Sequence, residues 1–240
     1  MTAAARPIRE SLPCSVFEAV QATRGMGRVM LSAAANGATH ERIGVVDAVM
    51  LEDGFVRMSG SAHDARIDLA VVAGVVADRS GKMKDRVLPR IEFQNAGGET
   101  LFSIIGLDGL EPFDLALGAV SSGEALPEKL RPAPSGEKPA EVAADDAGAA
   151  PLHAAKASGG AIRIAFTAPG LEQQWQGQVA EVKPAMGFIN IIQPDFHLHL
   201  KAGAVGRWAR AEAAGTVRLE AMNAEGTPLG LSLSGPASAF

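Results

Sequence analysis

Residues 188–200 read FINIIQPDFHLHL, and this stretch has the pattern of β-structure. Its first part, Phe188–Ile192, is apolar and rich in β-branched residues, which is typical of a strand. Apolar side chains and imidazoles then alternate in the order Phe196, His197, Leu198, His199, Leu200. A strand with this alternation buries its Phe/Leu face and presents both imidazoles on the other face, roughly 6–7 Å apart.

The same pattern occurs earlier in the chain. Gly54-Phe55-Val56 matches Gly187-Phe188-Ile189 at an offset of 133. Residues 90–98, RIEFQNAGG, match residues 218–226, RLEAMNAEG, at an offset of 128. The difference of five residues falls in a longer loop of the first copy, at residues 78–89. The order and spacing of these matches predict an internal duplication.

Each copy is predicted to contain a hairpin near its end. Asn95-Ala-Gly-Gly and Asn223-Ala-Glu-Gly are turn signals, and the strand-like runs Leu101–Ile105 and Leu229–Leu233 follow them. Helices are predicted at Ser15–Thr23 and Glu111–Val120. The prediction is an α+β fold, a tandem repeat of two mostly antiparallel β-sheet units with a few peripheral helices.

The two copies are separated by a segment of different composition. Residues 121–160 are rich in Ala, Pro and Glu and contain no aromatic residue, so they are interpreted as a linker with a short helix near Glu137–Ala147. The predicted organisation is therefore a first repeat at residues 1–120 with an N-terminal helix, a linker at 121–160 and a second repeat at 161–240.

Composition excludes several classes of protein. The chain has 240 residues and a formal net charge of −5, so it offers no basic footprint for nucleic acid. Its longest apolar run, Leu69–Ala77, is about half the length of a membrane helix. No export signal begins the sequence, and a soluble cytoplasmic protein is expected. A single cysteine, Cys14, rules out a disulfide framework or a thiolate metal centre within one chain, and there is no tyrosine.

Several segments resemble the HemS/ChuS haem-utilisation family, whose members are tandem repeats. The strongest match is residues 188–200 with the family pattern "WLNVLDPxFNLHL". Further matches are Gly27–Met30 with Thr39–Gly44 ("GEVM…VHEKxG"), Asp64–Ile67 ("DLRIF"), Arg90–Phe102 ("rSLqFFDaxGxaxhKi") and Pro169–Gly177 ("NrGCIQIHsG"). Together these matches run through roughly Gly27–Val120 and Ile162–Gly235.

The resemblance implies two stacked sheet units, a haem site formed between the halves, and haem as cofactor and partner. It implies carriage or storage of haem, or its delivery for oxidative breakdown. The family's closing arginine is absent from Leu231–Gly235, and His153 in the linker does not match the family's ligand segment. The resemblance allows either a haem-degrading enzyme or a protein that only binds haem, and haem binding is the preferred interpretation. It also allows a homodimer. The alternative is a non-catalytic descendant of the fold that acts as a binding or assembly module without haem.

Arg66 is carried over as a haem-binding candidate. A guanidinium pairs with a propionate through two charge-assisted hydrogen bonds. Strand alternation predicts that Arg66 shares a face with Met58, Ala62 and Asp64. The alternative is a surface arginine paired with Asp64 or Asp68.

His40 and His199 are the candidate haem-iron ligands, and His197 is a further candidate for the binding face. His199 matches the family's histidine and lies 133 residues after Arg66, at the equivalent position of the second copy. The spacing of His197 and His199 also allows two ligands to one metal ion. The alternatives are a structural histidine pair and, for His40, a turn histidine whose ring nitrogen satisfies a backbone carbonyl.

Overall fold

The computed structural model describes residues 6–129 and 141–240. Within them the chain forms two compact units that are interleaved in sequence. Unit 1 comprises residues 6–32, 43–129 and 169–171, and unit 2 comprises residues 33–42, 141–168 and 172–240. The division cuts, for example, through the hairpin formed by β2 (Arg28–Ala35) and β3 (Ala38–Val45), whose tip belongs to unit 2.

Unit 1 is built mainly from short antiparallel strands. Besides its part of β2 and β3, its elements are β1 (Arg9–Ser11), α1 (Val16–Ala22), β4 (Ala48–Glu52), β5 (Phe55–Ser59), β6 (Asp64–Asp68), β7 (Gly74–Asp78), β8 (Lys82–Met83), β9 (Arg86–Val87), β10 (Arg90–Gln94), β11 (Thr100–Gly106) and α2 (Leu110–Ala116). The strands follow the orders β1-β7-β10-β11-β2 and β6-β5-β4, with β8-β9 as a separate ribbon. Phe93 and Phe102 stack in its core with ring centroids 4.6 Å apart.

Unit 2 is also built mainly from antiparallel strands. Its elements are the tip of the β2–β3 hairpin, α3 (Ala150–Ser158), β12 (Ala161–Ala168), β13 (Leu171–Gln178), β14 (Lys183–Ala185), β15 (Phe188–Gln193), β16 (Phe196–Lys201), β17 (Arg207–Ala213), β18 (Thr216–Met222) and β19 (Pro228–Pro236). The strands follow the orders β3-β16-β15-β14 and β17-β18-β19-β12-β13. Every strand pair with a described register in either unit is antiparallel, which confirms the predicted mostly antiparallel α+β fold.

Equivalent residue pairs occur in the strand registers of the two copies, at the offsets that predict the duplication. Phe55 pairs with Asp68 in β5–β6, and the residues 133 positions later, Phe188 and Lys201, pair in β15–β16. Next to the second turn, Gln94↔Thr100 has its counterpart 128 positions later in Met222↔Pro228. The register shifts beside that pair in both hairpins. The β8–β9 ribbon lies in the loop predicted to be longer in the first copy.

The first two helices lie close to their predicted positions. Ser15 caps α1: its hydroxyl accepts from the Glu18 backbone, and the Glu18 carboxylate accepts from the Ser15 backbone N–H. The second predicted helix, Glu111–Val120, is α2 followed by a 3-10 turn at Leu117–Ala119. No helix within residues 6–129 and 141–240 is long and apolar enough to span a membrane.

The described residues at both ends of the segment predicted as a linker contact strands of the two units. Leu126 donates its N–H to the Arg9 carbonyl of β1, and Lys129 contacts Glu92 at 2.8 Å. Residues 141–147 are turns and loop, whereas the start of the helix predicted near Glu137–Ala147 lies outside the described residues. Helix α3 was not predicted; Pro151 lies in its first turn and its Leu152 is buried. The repeat boundaries at 120 and 161 stay a prediction.

Candidate functional site

Strand β16 presents two histidines on the outer face of unit 2. Phe196, Leu198 and Leu200 are fully buried, whereas the side chains of His197 and His199 are 26% and 29% exposed. The alternation predicted from the sequence is therefore confirmed. The two imidazole centroids lie 5.9 Å apart.

The neighbouring strands add two polar side chains to this face. In the β3–β16 register Glu41 lies opposite His197, and in the β15–β16 register Asn190 lies opposite His199. Glu41 Oε2 is 3.1 Å from His197 Nδ1 and 3.7 Å from His199 Nε2. One ligand atom from each of Glu41, His197 and His199 lies within 4.8 Å of the others. These three residues are called the Glu41 cluster below.

Asn190 fixes the orientation of His199. Its Nδ2 lies 3.2, 3.2 and 3.1 Å from the carbonyl oxygens of Lys183, Ala185 and Phe188, which can only accept hydrogen bonds. The amide oxygen therefore faces His199 Nδ1 at 2.6 Å. Because that oxygen is an acceptor, Nδ1 of neutral His199 carries the proton and Nε2 carries the lone pair. His199 is thus held with this lone-pair nitrogen 3.7 Å from Glu41 Oε2.

Sequence reasoning found the two histidines but missed Glu41 and Asn190. Glu41 lies next to His40, within the segment Thr39–Gly44 that resembles the family pattern. The contact between Glu41 and His197 joins residues 156 positions apart, so it depends on the pairing of β3 with β16. Period-two alternation along β3 was the available signal, since it puts Glu41 on the face opposite to His40.

The structure does not bring His40 to this face. Its side chain is 0% exposed and packs in the core of unit 2 against Phe166 and Phe196, at centroid distances of 6.0 and 4.9 Å. Its Nε2 lies 3.4 Å from the Ile164 carbonyl oxygen. Burial lowers the pKa of His40 to about 3, against the hydrogen bond with Ile164, which raises it. His40 is therefore a neutral core residue at physiological pH.

Arg66 lies in unit 1, on β6. Its guanidinium carbon is 3.9 Å from the centroid of the Phe55 ring, a cation–π contact. In the β5–β6 register Arg66 lies opposite Arg57, while Met58 lies opposite the buried Ala65. The predicted shared face with Met58 is therefore wrong, because Met58 points into the core. Asp64 shares the face of Arg66 as predicted, and Arg57 lies on this face as well.

The remaining histidines have separate environments. His63 is buried, with Nε2 3.1 Å from the Gly44 carbonyl oxygen, and His153 is exposed on α3. Among the described residues, the Glu41 cluster is the one group of three or more histidine, cysteine, aspartate or glutamate residues whose ligand atoms lie close enough together to hold a metal ion.

Comparison with known proteins identifies the fold. No family model matches the sequence, and no curated protein is similar enough in sequence to count as a relative. Solved structures that match 95% of this chain include ChuS, an Escherichia coli heme oxygenase, at 20% identity, TM-score 0.75 and 83% coverage of that chain. They also include holo-PhuS, a heme-binding protein from Pseudomonas aeruginosa, at 17% identity, TM-score 0.74 and 81% coverage of that chain. The HemS/ChuS resemblance read from the sequence is therefore confirmed at the level of the fold, and this chain has the fold of ChuS and PhuS.

Proposed function

We propose that this protein binds haem and serves in haem handling, as a carrier, store or delivery protein inside the cell. The observation that carries the proposal is the fold shared over 95% of the chain with a heme oxygenase and a heme-binding protein. Fold alone permits unrelated functions, so the proposal also rests on residues suited to haem. Binding is proposed, not breakdown, because the family's closing arginine is missing from Leu231–Gly235.

We propose His199 as the iron ligand. Its Nε2 carries a lone pair on a partly exposed face, and a hydrogen bond from Nδ1 to Asn190 holds the ring in place. Neutral imidazole in this arrangement is an ordinary axial ligand for haem iron. Two apolar side chains on the same face, Ile192 and Phe188, are exposed and supply surface that a porphyrin ring can contact.

The other candidate histidines serve this role less well. His40 has no exposed surface, so an iron atom could reach it only if the core of unit 2 opened. His197 Nδ1 is engaged by Glu41 at 3.1 Å. His197 also stands where the family pattern has an asparagine, whereas His199 matches its histidine. We assign His40 to packing and His197 to the surroundings of the iron ligand.

Titration of hemin into the purified protein tests the proposal. We expect a sharp Soret band that saturates at one haem per chain. His199→Ala should abolish or shift this band, whereas His153→Ala, an exposed histidine on α3, should leave it unchanged. A broad absorbance that neither saturates nor responds to His199→Ala contradicts haem binding and favours a binding or assembly module without haem.

Arg66 is proposed to pair with a haem propionate. A charge-assisted contact of this kind contributes about 1.5–3 kcal/mol, so Arg66→Ala should raise the dissociation constant for hemin roughly ten- to a hundredfold. The Soret position should not change, because the iron ligand is untouched. Fluorescence or absorbance titration measures the affinity.

Arg57→Ala is the matched control for Arg66→Ala. Arg57 lies directly opposite Arg66 on the same face, and its ion pairs with Glu52 and Asp64 are long, at 3.8 Å each. Its loss should change hemin affinity by no more than about twofold, as for a weak surface ion pair. Equal effects of the two substitutions would mean that general positive charge, and not Arg66, attracts haem.

A further inference from the structure

We infer that the Glu41 cluster binds one divalent first-row transition-metal ion that is not part of haem. The site consists of two imidazoles and one carboxylate, from Glu41 on β3 and from His197 and His199 on β16. This inference does not rest on the proposed haem function. Haem iron has four positions filled by porphyrin nitrogens and takes one protein ligand on each face, so it would use a single donor of the cluster. A small ion can use all three.

The spacing of the donor atoms fits a single ion. Metal–nitrogen and metal–oxygen bonds of about 2.0–2.2 Å separate neighbouring ligand atoms by about 3–3.5 Å. Glu41 Oε2 lies 3.1 Å from His197 Nδ1 and 3.7 Å from His199 Nε2. Both distances from Glu41 are therefore within a few tenths of an ångström of this separation, and all three ligand atoms lie within 4.8 Å of one another. The hydrogen bond between His197 and Glu41 would be replaced by coordination of the ion to both.

The site is held by a second layer of contacts. The other ring nitrogen of a metal-binding histidine normally donates to an oxygen, which fixes the ring and makes the coordinating nitrogen more basic. His199 has this arrangement, because Nδ1 faces the Asn190 amide oxygen at 2.6 Å. Asn190 is itself anchored by three backbone carbonyls. All of these residues lie on adjacent paired strands, which hold donor atoms more firmly than loops do.

The donor set selects the class of ion. Two imidazoles and one carboxylate suit Fe²⁺, Co²⁺, Ni²⁺, Cu²⁺ or Zn²⁺, whereas Mg²⁺ and Ca²⁺ require mainly oxygen ligands. The side chains of Glu41, His197 and His199 are 13%, 26% and 29% exposed, so the remaining positions of the ion face solvent. Such a site would leave water or an exchangeable ligand on the metal.

Titration of haem-free protein with Co²⁺ tests the inference, with visible absorption of the bound ion as readout. The protein is purified without a metal-affinity tag. We expect one Co²⁺ per chain, displaced by Zn²⁺. Glu41→Gln, His197→Ala and His199→Ala should each weaken binding at least tenfold, and Asn190→Ala should weaken it by about ten- to a hundredfold through loss of the ring anchor.

One control variant tests the loss of a carboxylate outside the cluster, and another tests the loss of a histidine outside it. Glu212→Gln and His153→Ala remove exposed groups of the same chemistry elsewhere, and neither should change Co²⁺ affinity. Far-ultraviolet circular dichroism checks that each variant is folded. Absence of 1:1 binding by the wild type, or equal binding by wild type and folded Glu41→Gln and His199→Ala, would overturn the inference.

The inference of a metal site and the proposal of haem binding can be contradicted independently of each other. Glu41→Gln should weaken Co²⁺ binding at least tenfold but leave the Soret band of bound hemin, because haem would use His199 alone. Binding of Co²⁺ without a Soret band leaves the inference intact and removes the haem function. A Soret band without Co²⁺ binding leaves the haem proposal intact and overturns the inference of a separate metal site.

Discussion

Replacing Glu10 by Ala is expected to lower the free energy of unfolding by about 3–5 kcal/mol, the usual effect of breaking a buried ion pair. Glu10 is 0% exposed in unit 1. Its Oε1 lies 2.7 Å from Arg6 Nε and 2.9 Å from an Arg79 nitrogen, and its Oε2 accepts from the Ser122 hydroxyl. Without the carboxylate, two poorly exposed guanidinium groups lose their shared counter-charge.

Urea unfolding of the wild type and Glu10→Ala measures this loss. Asp114 also pairs with Arg79, at 2.8 Å, so Arg79 keeps one partner and the cost should stay within the stated range. Glu111→Ala, an exposed acidic residue in the first turn of α2, is the control and should change stability by no more than about 0.5 kcal/mol. A loss below about 1 kcal/mol in Glu10→Ala would contradict the structural role assigned to this network.

His40 should make the stability of the protein depend on pH. In the folded chain its pKa is about 3, below the ordinary value of 6.5, because burial disfavours the imidazolium. As the pH falls below about 6.5, the unfolded chain takes up a proton that the folded chain excludes, so unfolding becomes easier. This contribution is fully present above pH 6.5 and is lost progressively as the pH falls toward 3. At pH 4 the loss amounts to about 3 kcal/mol.

Comparison of the wild type with His40→Gln isolates this effect from the titration of carboxylates. Glutamine has a similar size, retains a donor for the Ile164 carbonyl and never becomes charged. Between pH 8 and pH 4 the wild type should lose about 3 kcal/mol more in unfolding free energy than the variant. Parallel losses in the two proteins would mean that His40 becomes protonated without unfolding. His153→Gln, on an exposed surface, should follow the wild type.

The sequence predicted local structure well because the informative patterns are short. Alternation in residues 196–200 identified the buried and exposed faces of β16, and repeated turn signals predicted the hairpins of both copies. The offset of 133 placed Arg66 and His199 at equivalent positions, and the β5–β6 and β15–β16 registers agree with it. Such features depend on neighbouring residues, so one sequence suffices to find them.

The parts that were missed depend on distant residues or on composition. Glu41 became part of the candidate site only through the pairing of β3 with β16. His40 has the same local pattern as an exposed ligand, and only the packing of Phe166 and Phe196 shows that it is buried. Helix α3 lies in an Ala- and Pro-rich stretch whose composition resembles a linker, although Leu152 gives it an apolar contact with the core.

The central claim, that haem iron is bound at His199 on the outer face of unit 2, is tested most directly by anomalous X-ray scattering. Crystals of the protein grown with hemin are measured at the iron absorption edge, which locates the metal independently of the porphyrin density. The account predicts one iron peak within bonding distance of His199 Nε2, with Asn190 still contacting Nδ1. An iron peak beside any other side chain, or hemin in the crystal with no peak at His199, would contradict it.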